Sequence, residues 1–344
     1  MTEDTIELFD AGEAETDADW LAIMDEIGEE AGYFEPLGDE HSAFFSDMGT
    51  VLLVTFETLP GVRGAGGAQM PLGYQIAAPR GWSSLSIVAH GPSWYRDHHV
   101  YGFFDRLIDD AFFEDFDRVV FYGAGMGGYG AAAYAVAAPG STVLALAPQA
   151  TLDTDLAEWD RRFPRARRLN FADRFGFAPD MTEGCDKVFV VYDPVQQVDA
   201  VHAAMFRGPH IVKLRARHIG RDPQSELARI NVLRPLIDAA CSGTLDANLF
   251  HRLWRARRKH PQFLGRLVGR IQSQDKPRRL VQALRASVAL VDHPQLRRAL
   301  AKAEAESGAA LPNAEQNTAA PAPRPATRPA APPSPADAVE EPLT

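Results

Sequence analysis

Two residues that could carry acid–base chemistry follow neighbouring apolar runs in the middle of the chain. Asp193 comes directly after residues 187–192, and His218 comes shortly after residues 211–214. A carboxylate that orients an imidazole makes that imidazole a general base, able to take a proton from a hydroxyl or a water. The separation of 25 residues suits one intervening helix and one strand. The spacing therefore predicts that Asp193 and His218 lie together at one edge of a parallel sheet, as a catalytic pair.

A glycine-rich turn at residues 123–128 precedes this pair in the chain. The apolar run 119–122 enters the turn, and an alanine-rich helical run leaves it. This pattern is typical of the Gly-x-Ser-x-Gly nucleophile elbow of α/β-hydrolases, whose triads occur in the chain order nucleophile, acid, base. Gly125 stands at the position of the serine. Glycine tolerates the strained backbone of an elbow, but it has no hydroxyl with which to attack a substrate.

Five further residues are expected to line an oxyanion hole and a pocket above the turn. In a nucleophile elbow, one oxyanion donor is the backbone N–H of the residue after the nucleophile, here Met126. The second donor comes from the loop after an earlier strand, which we place at His90 and Gly91, because the next residue is a proline without an N–H. Trp94 and Tyr95, in the same loop, are expected to form part of the pocket wall.

The glycine turn has two other interpretations that remain open. Gly123, Gly125 and Gly128 match the Gly-x-Gly-x-x-Gly fingerprint, in which a dinucleotide phosphate binds at the N-terminus of the following helix. That motif normally needs an acidic residue at the end of the next strand, where this chain has Ala147-Pro148-Gln149. Alternatively, the glycines only allow a strand and a helix to pack closely, which is compatible with either function.

Strands and helices are predicted to alternate through the middle of the chain. The predicted strands are residues 50–56, 73–77, 85–89, 119–122, 142–146, 187–192 and 211–214, and the predicted helices include 17–31, 100–113 and 198–206. Alternation of this kind requires a mainly parallel sheet that helices cover on both faces. The sequence therefore predicts an α/β fold of the α/β-hydrolase type.

Composition divides the chain into four parts. Residues 1–49 are an acidic N-terminal segment, and residues 50–222 form the α/β domain, with a cap insertion at about 150–186. Residues 223–307 form a basic helical region, with helices predicted at 226–241, 247–258, 261–272, 278–291 and 295–306. Residues 308–344 are rich in proline and alanine and cannot bury a core, so a disordered tail is expected there.

The two ends of the chain carry opposite charge. Residues 1–49 contain 16 aspartates and glutamates with no lysine or arginine, whereas residues 246–306 carry a net charge of +9. These ends could dock on each other or attract a protein partner. A basic helical face is usually a solvated surface, so we do not expect nucleic-acid binding.

Composition also limits the class of protein. The chain has 344 residues, of which 46% are hydrophobic, and a net charge of −11. Its two cysteines lie far apart without a CxxC pattern, which argues against a zinc site and a disulfide framework. We predict no metal and no cofactor. The sequence has no apolar run of membrane-spanning length and an acidic N-terminus, so we expect a cytoplasmic protein without a membrane span.

The elbow region resembles a known bacterial group. Residues 122–129, Tyr-Gly-Ala-Gly-Met-Gly-Gly-Tyr, are followed by Pro148 and Gln149, and Trp94 and Tyr95 come after an earlier strand. This is similar to the Tyr-Gly-Ser-x-Met-Gly-Gly-Tyr and Ser-Pro-Gln pattern of α/β-hydrolase-like proteins that occur with glycan-modification and glycosyltransferase genes. That group includes the O-acetyltransferase component of accessory secretion systems. The resemblance covers residues 50–220, and Gly125 replaces the serine of the group.

The resemblance implies a degenerate α/β-hydrolase-like protein with a binding or accessory role, in surface-glycan metabolism, and a small-molecule or glycan-related ligand. Two alternatives remain open: a hydrolase or acyltransferase in which His218 and Asp193 activate water, and a nucleotide-binding protein. The chain also resembles alphaproteobacterial proteins that carry a phosphoadenosine phosphosulfate reductase label. We do not expect that activity, because the Ser-Gly-Gly-Lys-Asp-Ser loop and the Glu-Cys-Gly-x-His ending are missing from the sequence.

Overall fold

An eight-stranded sheet forms the centre of the protein, whose computed structural model describes residues 8–64 and 66–307. The strands are β1 (Gly32–Leu37), β2 (His41–Ser46), β3 (Val51–Thr58), β4 (Ser83–Ala89), β5 (Arg118–Ala124), β6 (Thr142–Leu146), β7 (Lys187–Tyr192) and β8 (Ile211–Arg215). Their order is β1-β2-β4-β3-β5-β6-β7-β8. Strand β2 pairs antiparallel with both neighbours, and all other pairs are parallel. This is the strand order of the α/β-hydrolase fold, and the predicted fold class is confirmed.

Helices cover both faces of the sheet. They are α1 (Asp17–Ala31), α2 (Leu59–Gly64), α3 (Leu72–Ala77), α4 (His98–Asp109), α5 (Met126–Ala133), α6 (Thr154–Ala157), α7 (Gln197–Met205), α8 (Pro223–Arg229), α9 (Leu233–Cys241), α10 (Ala247–Trp254), α11 (Pro261–Gln272), α12 (Pro277–Leu290) and α13 (Pro294–Ser307). Apolar side chains of α4, α5 and α7 share one core with alternate residues of the strands. Those of α3, α8, α9 and α10 share the core on the opposite face. Both faces are therefore buried, as a parallel sheet requires.

The sheet begins inside residues 1–49, which the sequence analysis had treated as a separate acidic segment. Helix α1 covers the predicted residues, but β1 and β2 were not predicted, although they fall within residues 1–49. All six residues of β2 are buried between β1 and β4. Because both of its faces are covered, β2 shows no alternation of apolar and polar residues that would have revealed it.

One predicted strand is a helix. Residues 73–77 belong to α3, which starts directly after Pro71. The Glu57 carboxylate accepts the backbone N–H groups of Leu72 and Gly73, at 2.8 and 3.0 Å. These are N–H groups that have no partner inside a helix, so the carboxylate stabilises the helical start against a local strand propensity.

The predicted helical region is present and packs on the sheet. The single helix predicted at 226–241 is two helices, α8 and α9, separated at Asn231, whose φ is 55°. Leu236 and Ile237 of α9 join the same apolar core as β5 and β6, and Trp254 of α10 extends that core. The first part of this region therefore covers one face of the sheet. The predicted tail, residues 308–344, lies outside the described residues.

Within the described parts of the chain, no helix combines the length and the apolar character needed to cross a membrane.

Candidate site at the carboxyl edge of the sheet

A sharp turn joins β5 to α5 at the carboxyl edge of the sheet. Gly125 has φ 56° and ψ −116°, and α5 begins at the next residue, Met126. The backbone N–H of Gly125 donates to the carbonyl of Leu146 on β6, at 2.8 Å. A non-glycine residue in this part of φ/ψ space is strained, as the predicted nucleophile elbow requires. The elbow itself stays a prediction, and its name is used below for residues 123–128.

Close packing explains why Gly123 and Gly127 are glycines, but it does not explain Gly125. A Cβ on Gly123 would lie 2.0 Å from the carbonyl oxygen of Gly127. A Cβ on Gly127 would lie 2.2 Å from the carbonyl oxygen of Phe56 on β3. A Cβ on Gly125 would meet no atom within 4 Å. The space for a side chain at residue 125 is therefore open, and only the positive φ favours glycine there.

Asp193 and His218 lie together, but they meet through the backbone of the histidine. Oδ1 of Asp193 accepts the backbone N–H of His218 at 3.0 Å and that of Val195 at 3.0 Å, and Oδ2 accepts the backbone N–H of Gly220 at 3.1 Å. Asp193 is only 1% exposed. The carboxylate thus holds two loops at the ends of β7 and β8. The sequence predicted that the carboxylate would orient the imidazole of His218, but no hydrogen bond from the imidazole to the Asp193 oxygens is formed.

The imidazole of His218 contacts two arginines. Arg270, from α11, donates to Nδ1 at 2.9 Å, and Nε of Arg217 lies 3.4 Å from Nε2. Burial lowers the pKa of His218, the Arg270 charge lowers it further, and Asp193 opposes this. Burial and a charged residue of the helical region therefore both favour the neutral form of the ring. Sequence spacing could not show this contact, because Arg270 lies 52 residues further along the chain.

The loop after β4 reaches over the elbow. Trp94 and Tyr95 have φ values of 51° and 54°. The backbone N–H of Trp94 donates to Sδ of Met126 at 3.2 Å, and its indole N–H donates to the side chain of Gln149 at 3.1 Å. The hydroxyl of Tyr95 donates to the carbonyl of Glu57 at 2.8 Å. The structure thus brings Trp94, Tyr95 and Met126 together around residue 125.

The two residues expected to provide the second oxyanion donor lie further away in the sheet. His90 and Gly91 follow β4, whereas β3 is the strand that pairs with β5. The imidazole of His90 contacts the carbonyl of Asp39 at 3.1 Å and the hydroxyl of Ser42 at 3.3 Å. In an α/β-hydrolase the second donor comes from the loop after β3. Here β3 ends at Thr58, and α2 begins at the next residue, Leu59.

A cavity of about 410 Å³ lies beside the elbow. Its walls come from the ends of β3 and β5, from α3 and from α8, and they include Glu57, Leu72, Met126, Gly127, Asp222 and Gln224. Burial raises the pKa of Glu57, and the hydrogen bonds from Gly73, Leu72 and Thr55 oppose this rise. The hydroxyl of Tyr122 donates to Oε1 of Gln224 at 2.7 Å. The amide nitrogen of Gln224 is then the group on that side chain that can donate to a ligand.

Glu57 is a polar residue of this cavity that sequence analysis missed. It lies one residue beyond the strand predicted at 50–56, and a single acidic residue after an apolar run resembles an ordinary strand end. An acidic residue at the carboxyl end of a strand was nevertheless the available signal, because that edge is where ligands bind in α/β sheets.

The segment predicted as a cap, residues 150–186, contacts the elbow helix and the loop after β4. The hydroxyl of Tyr129 on α5 donates to the carbonyl of Phe175 at 2.6 Å. The ring of Phe163 lies edge-on to that of Trp94, with centroids 4.7 Å apart. These contacts place the segment against the residues that surround residue 125.

A buried charged network fixes the same segment to α7. His202 on α7 contacts Asp160 through Nε2 at 2.9 Å and accepts the backbone N–H of Ala150 through Nδ1 at 3.1 Å. Arg162 donates to Asp160 at 2.9 Å and to Asp199 at 2.5 Å. Arg162 lies in the segment 150–186, and these bonds connect that segment to α7.

One cluster among the described residues has the side chains of a metal site. The ligand atoms of Asp97, His98 and His99 lie within 4.8 Å of one another, and both histidines are exposed. The Asp97 carboxylate already accepts the backbone N–H of His99 at 2.7 Å, as the N-cap of α4. This local contact accounts for the cluster without an ion.

No protein-family model and no curated protein matches this sequence. Several solved structures are similar at low identity. The capsule O-acetyltransferase of Neisseria meningitidis serogroup A is 10% identical, with 57% of this chain and 92% of that chain covered and a TM-score of 0.39. The thermostable carboxylesterase EstE1, from a metagenomic library, is 13% identical, with 62% and 88% covered and a TM-score of 0.40. The glycosylation-associated Gap123 complex of Streptococcus agalactiae is 13% identical, with 58% and 44% covered and a TM-score of 0.39. The fold assignment rests on the strand order given above.

Proposed function

We propose that this protein is a degenerate α/β-hydrolase-like protein that binds a ligand at the carboxyl edge of its sheet and has no nucleophile at the elbow. The observation that carries the proposal is Gly125, which has the φ and ψ expected at an elbow and open space where a side chain would stand. This conformation costs glycine little but would strain any residue with a side chain, and such conformations cluster at functional sites. Its presence without a hydroxyl fits a site that binds and does not attack.

The cavity beside the elbow suits a ligand with hydroxyl groups. Glu57, Asp222 and Gln224 are among its polar residues, and none of the described residues that line it is a lysine or an arginine. Carboxylates and amides bind sugar hydroxyls, whereas an anionic ligand would need cationic partners. Together with the resemblance of residues 122–129 to glycan-modifying proteins, this favours a glycan-related ligand and an accessory role in surface-glycan metabolism. The opposite charges of the chain ends favour a protein partner.

The proposal is tested by restoring the hydroxyl. We expect the wild-type protein to show no turnover of small acyl esters that depends on His218. Gly125→Ser should be labelled at residue 125 by a fluorophosphonate probe, whereas Gly125→Ala, which has the same backbone strain without the hydroxyl, should not. Ester turnover by the wild-type protein that His218→Ala abolishes would overturn the proposal in favour of a hydrolase in which His218 activates water.

Calorimetry separates binding at the elbow cavity from nucleotide binding. Neutral mono- and oligosaccharides are titrated into the wild-type protein and into Gln224→Leu. Binding that Gln224→Leu weakens supports the proposal. Heat with NAD, FAD or an adenosine phosphosulfate, and none with the sugars, would overturn it in favour of a nucleotide-binding protein.

A further inference from the structure

A hydroxyl–imidazole pair lies one residue before Trp94, which contacts Met126 of the elbow. His41 is the first residue of β2, and Ser93 is in the loop after β4. Nε2 of His41 lies 2.6 Å from Oγ of Ser93. Both residues are enclosed, with exposed fractions of 0% for His41 and 6% for Ser93. A serine and a histidine at this distance have the geometry of an activated nucleophile and its base.

The hydrogen bonds around Ser93 are compatible with either tautomer of the neutral imidazole. Oγ of Ser93 accepts the backbone N–H of Tyr95 at 3.2 Å. Its second lone pair can accept a hydrogen from Nε2 of His41, or its own hydrogen can point to Nε2. In the second arrangement the ring carries its hydrogen on Nδ1, a buried atom with no hydrogen-bond partner among the described residues. This is the tautomer that a general base needs toward a serine.

The surroundings of His41 keep it neutral. Burial lowers its pKa to about 4; Asp97 opposes this shift, and His90 and His99 add to it. A neutral imidazole at neutral pH can take a proton from the serine. The ring is therefore neutral above about pH 4, which is the form from which a general base starts.

The backbone beside Ser93 offers a donor for an oxyanion. The next two residues, Trp94 and Tyr95, both have positive φ, and such strain in consecutive non-glycine residues is typical of functional loops. The N–H of Trp94 donates to the thioether of Met126, a weak acceptor on a flexible and half-buried side chain. That N–H could therefore pass to a stronger acceptor when a substrate displaces the sulfur.

We propose that Ser93 accepts an acyl group from an activated ester, with His41 as its general base. Oγ attacks the ester carbonyl, and its proton passes to Nε2 of His41. The tetrahedral intermediate collapses with cleavage of the carbon–oxygen bond to the leaving group, which takes that proton from Nε2 and departs as the alcohol, leaving an acyl-serine. The low exposure of Ser93 restricts the acyl group to a small one, such as acetyl. This activity goes beyond the proposed function, since binding at the elbow does not need it.

The test uses the full chain and p-nitrophenyl acetate, with peptide mass mapping of the acetylated residue. We expect one acetyl group on Ser93, none on this peptide in Ser93→Ala, and acetylation at least about 100-fold slower in His41→Gln. Ser42→Ala is the matched control, because Ser42 and His90 form a neighbouring but longer contact of 3.3 Å. That variant should be acetylated at Ser93 like the wild-type protein.

Two outcomes would overturn the proposal: folded wild-type protein without acetyl on Ser93, or acetylation of Ser93 at an unchanged rate in folded His41→Gln. If Ser93→Ala does not fold, Ser93→Cys keeps the test informative. Iodoacetamide should alkylate this cysteine much faster than one introduced by Ser42→Cys, and the wild-type protein, with buried Cys185 and Cys241, gives the background. If the cysteine at residue 93 reacts no faster than the cysteine at residue 42, the contact between His41 and Ser93 is only a structural hydrogen bond. None of these results depends on Gly125 or His218. The proposed function is therefore tested independently of this proposal.

Discussion

The carboxylate of Asp193 accepts the backbone N–H of His218 at 3.0 Å. In a catalytic triad the acid contacts the ring of the histidine and holds its tautomer. Here the acid closes the loop after β8, with Gly220 as a further donor, and the ring contacts Arg270. The position in the fold is that of a triad, whereas the hydrogen bonds are those of a structural carboxylate.

This arrangement predicts unequal effects on stability. Asp193→Asn should lower the free energy of unfolding by about 1–3 kcal/mol, because an amide cannot accept from all three backbone donors and leaves a buried N–H unsatisfied. His218→Ala keeps the backbone N–H, so its effect should be below about 1 kcal/mol. Urea unfolding at pH 7 measures both. Equal losses in the two variants would contradict the structural role of Asp193.

The glycines of the elbow should tolerate substitution very differently. Gly125→Ala should cost about 1–3 kcal/mol, which is the strain of a non-glycine residue at this φ and ψ. Gly123→Ala should cost more, because its Cβ would collide with the backbone of Gly127. Gly91→Ala is the control, since its Cβ would have open space and its φ is not positive. We expect thermal unfolding to rank the variants, from most to least stable, as Gly91→Ala, Gly125→Ala and Gly123→Ala. If Gly123→Ala is more stable than Gly125→Ala, the packing argument is wrong.

The network at Asp160 should make the predicted cap sensitive to acid. Burial acts to raise the pKa of Asp160, but the hydrogen bonds from His202 and Arg162 outweigh it and lower the pKa. A lowered carboxyl pKa gives stability that is present above about pH 4 and is lost as the pH falls toward the folded-state pKa. Asp160→Asn should cost about 3–5 kcal/mol at pH 7, because it leaves Arg162 and Asp199 with an incomplete network.

The loss in Asp160→Asn should shrink below about pH 4. Unfolding curves at pH 7 and pH 3 for the wild-type protein and the variant measure the change. Asp155→Asn, at an exposed position in the same segment, should be nearly neutral at both pH values. A penalty for Asp160→Asn that is independent of pH would show that the carboxylate charge does not matter.

His41 should lose stability in the same direction as Asp160, as the pH falls, but over a higher pH range. Its pKa falls from an ordinary 6.5 to about 4 in the folded protein, so the unfolded chain binds the extra proton between these values. Stability from this group is therefore complete above about pH 6.5 and decreases as the pH falls to about 4, by up to about 3 kcal/mol. His41→Gln should lack this component, so the difference between wild-type and variant unfolding free energies should change over that range. The charged groups that face the ring, on Asp97, His90 and His99, are present in both the wild-type protein and His41→Gln. A difference in unfolding free energy that does not change with pH would contradict the lowered pKa of His41.

The parts of the fold that were predictable are those in which local pattern and tertiary environment agree. Strands β6 and β7 are continuous apolar runs because both faces of each are buried, and their predicted bounds match the structure. Strand β1 contains Pro36 and is half-buried at the sheet edge, and β2 carries serines and His41 in a buried setting. Neither has the periodicity of a half-buried strand, so the acidic composition around them dominated the interpretation.

The candidate site was predictable in its position and not in its contacts. Chain order places Asp193 and His218 after adjacent strands, which requires them to be near each other. The direction of the imidazole depends on Arg270, from a helix whose packing no local pattern encodes. The contact of His41 with Ser93 joins residues 52 positions apart, through a strand that had not been predicted. Such pairs become visible only when the sheet is assembled.

The contact between α11 and the sheet edge predicts a measurable change in the acidity of His218. Burial is the largest cause of its lowered pKa, and the charge of Arg270 is the second. Arg270→Gln removes that charge and the hydrogen bond to Nδ1, both of which favour the neutral ring, so the pKa of His218 should rise part of the way toward 6.5. NMR titration of the imidazole Cε1–H, assigned by its absence in His218→Ala, gives the value.

Arg266→Gln is the matched control, because Arg266 lies one turn earlier on α11 and donates to Glu226 at 2.8 Å. If both variants leave the pKa of His218 unchanged, the helical region does not influence this edge of the sheet. A rise confined to Arg270→Gln would show that α11 influences the charge of His218.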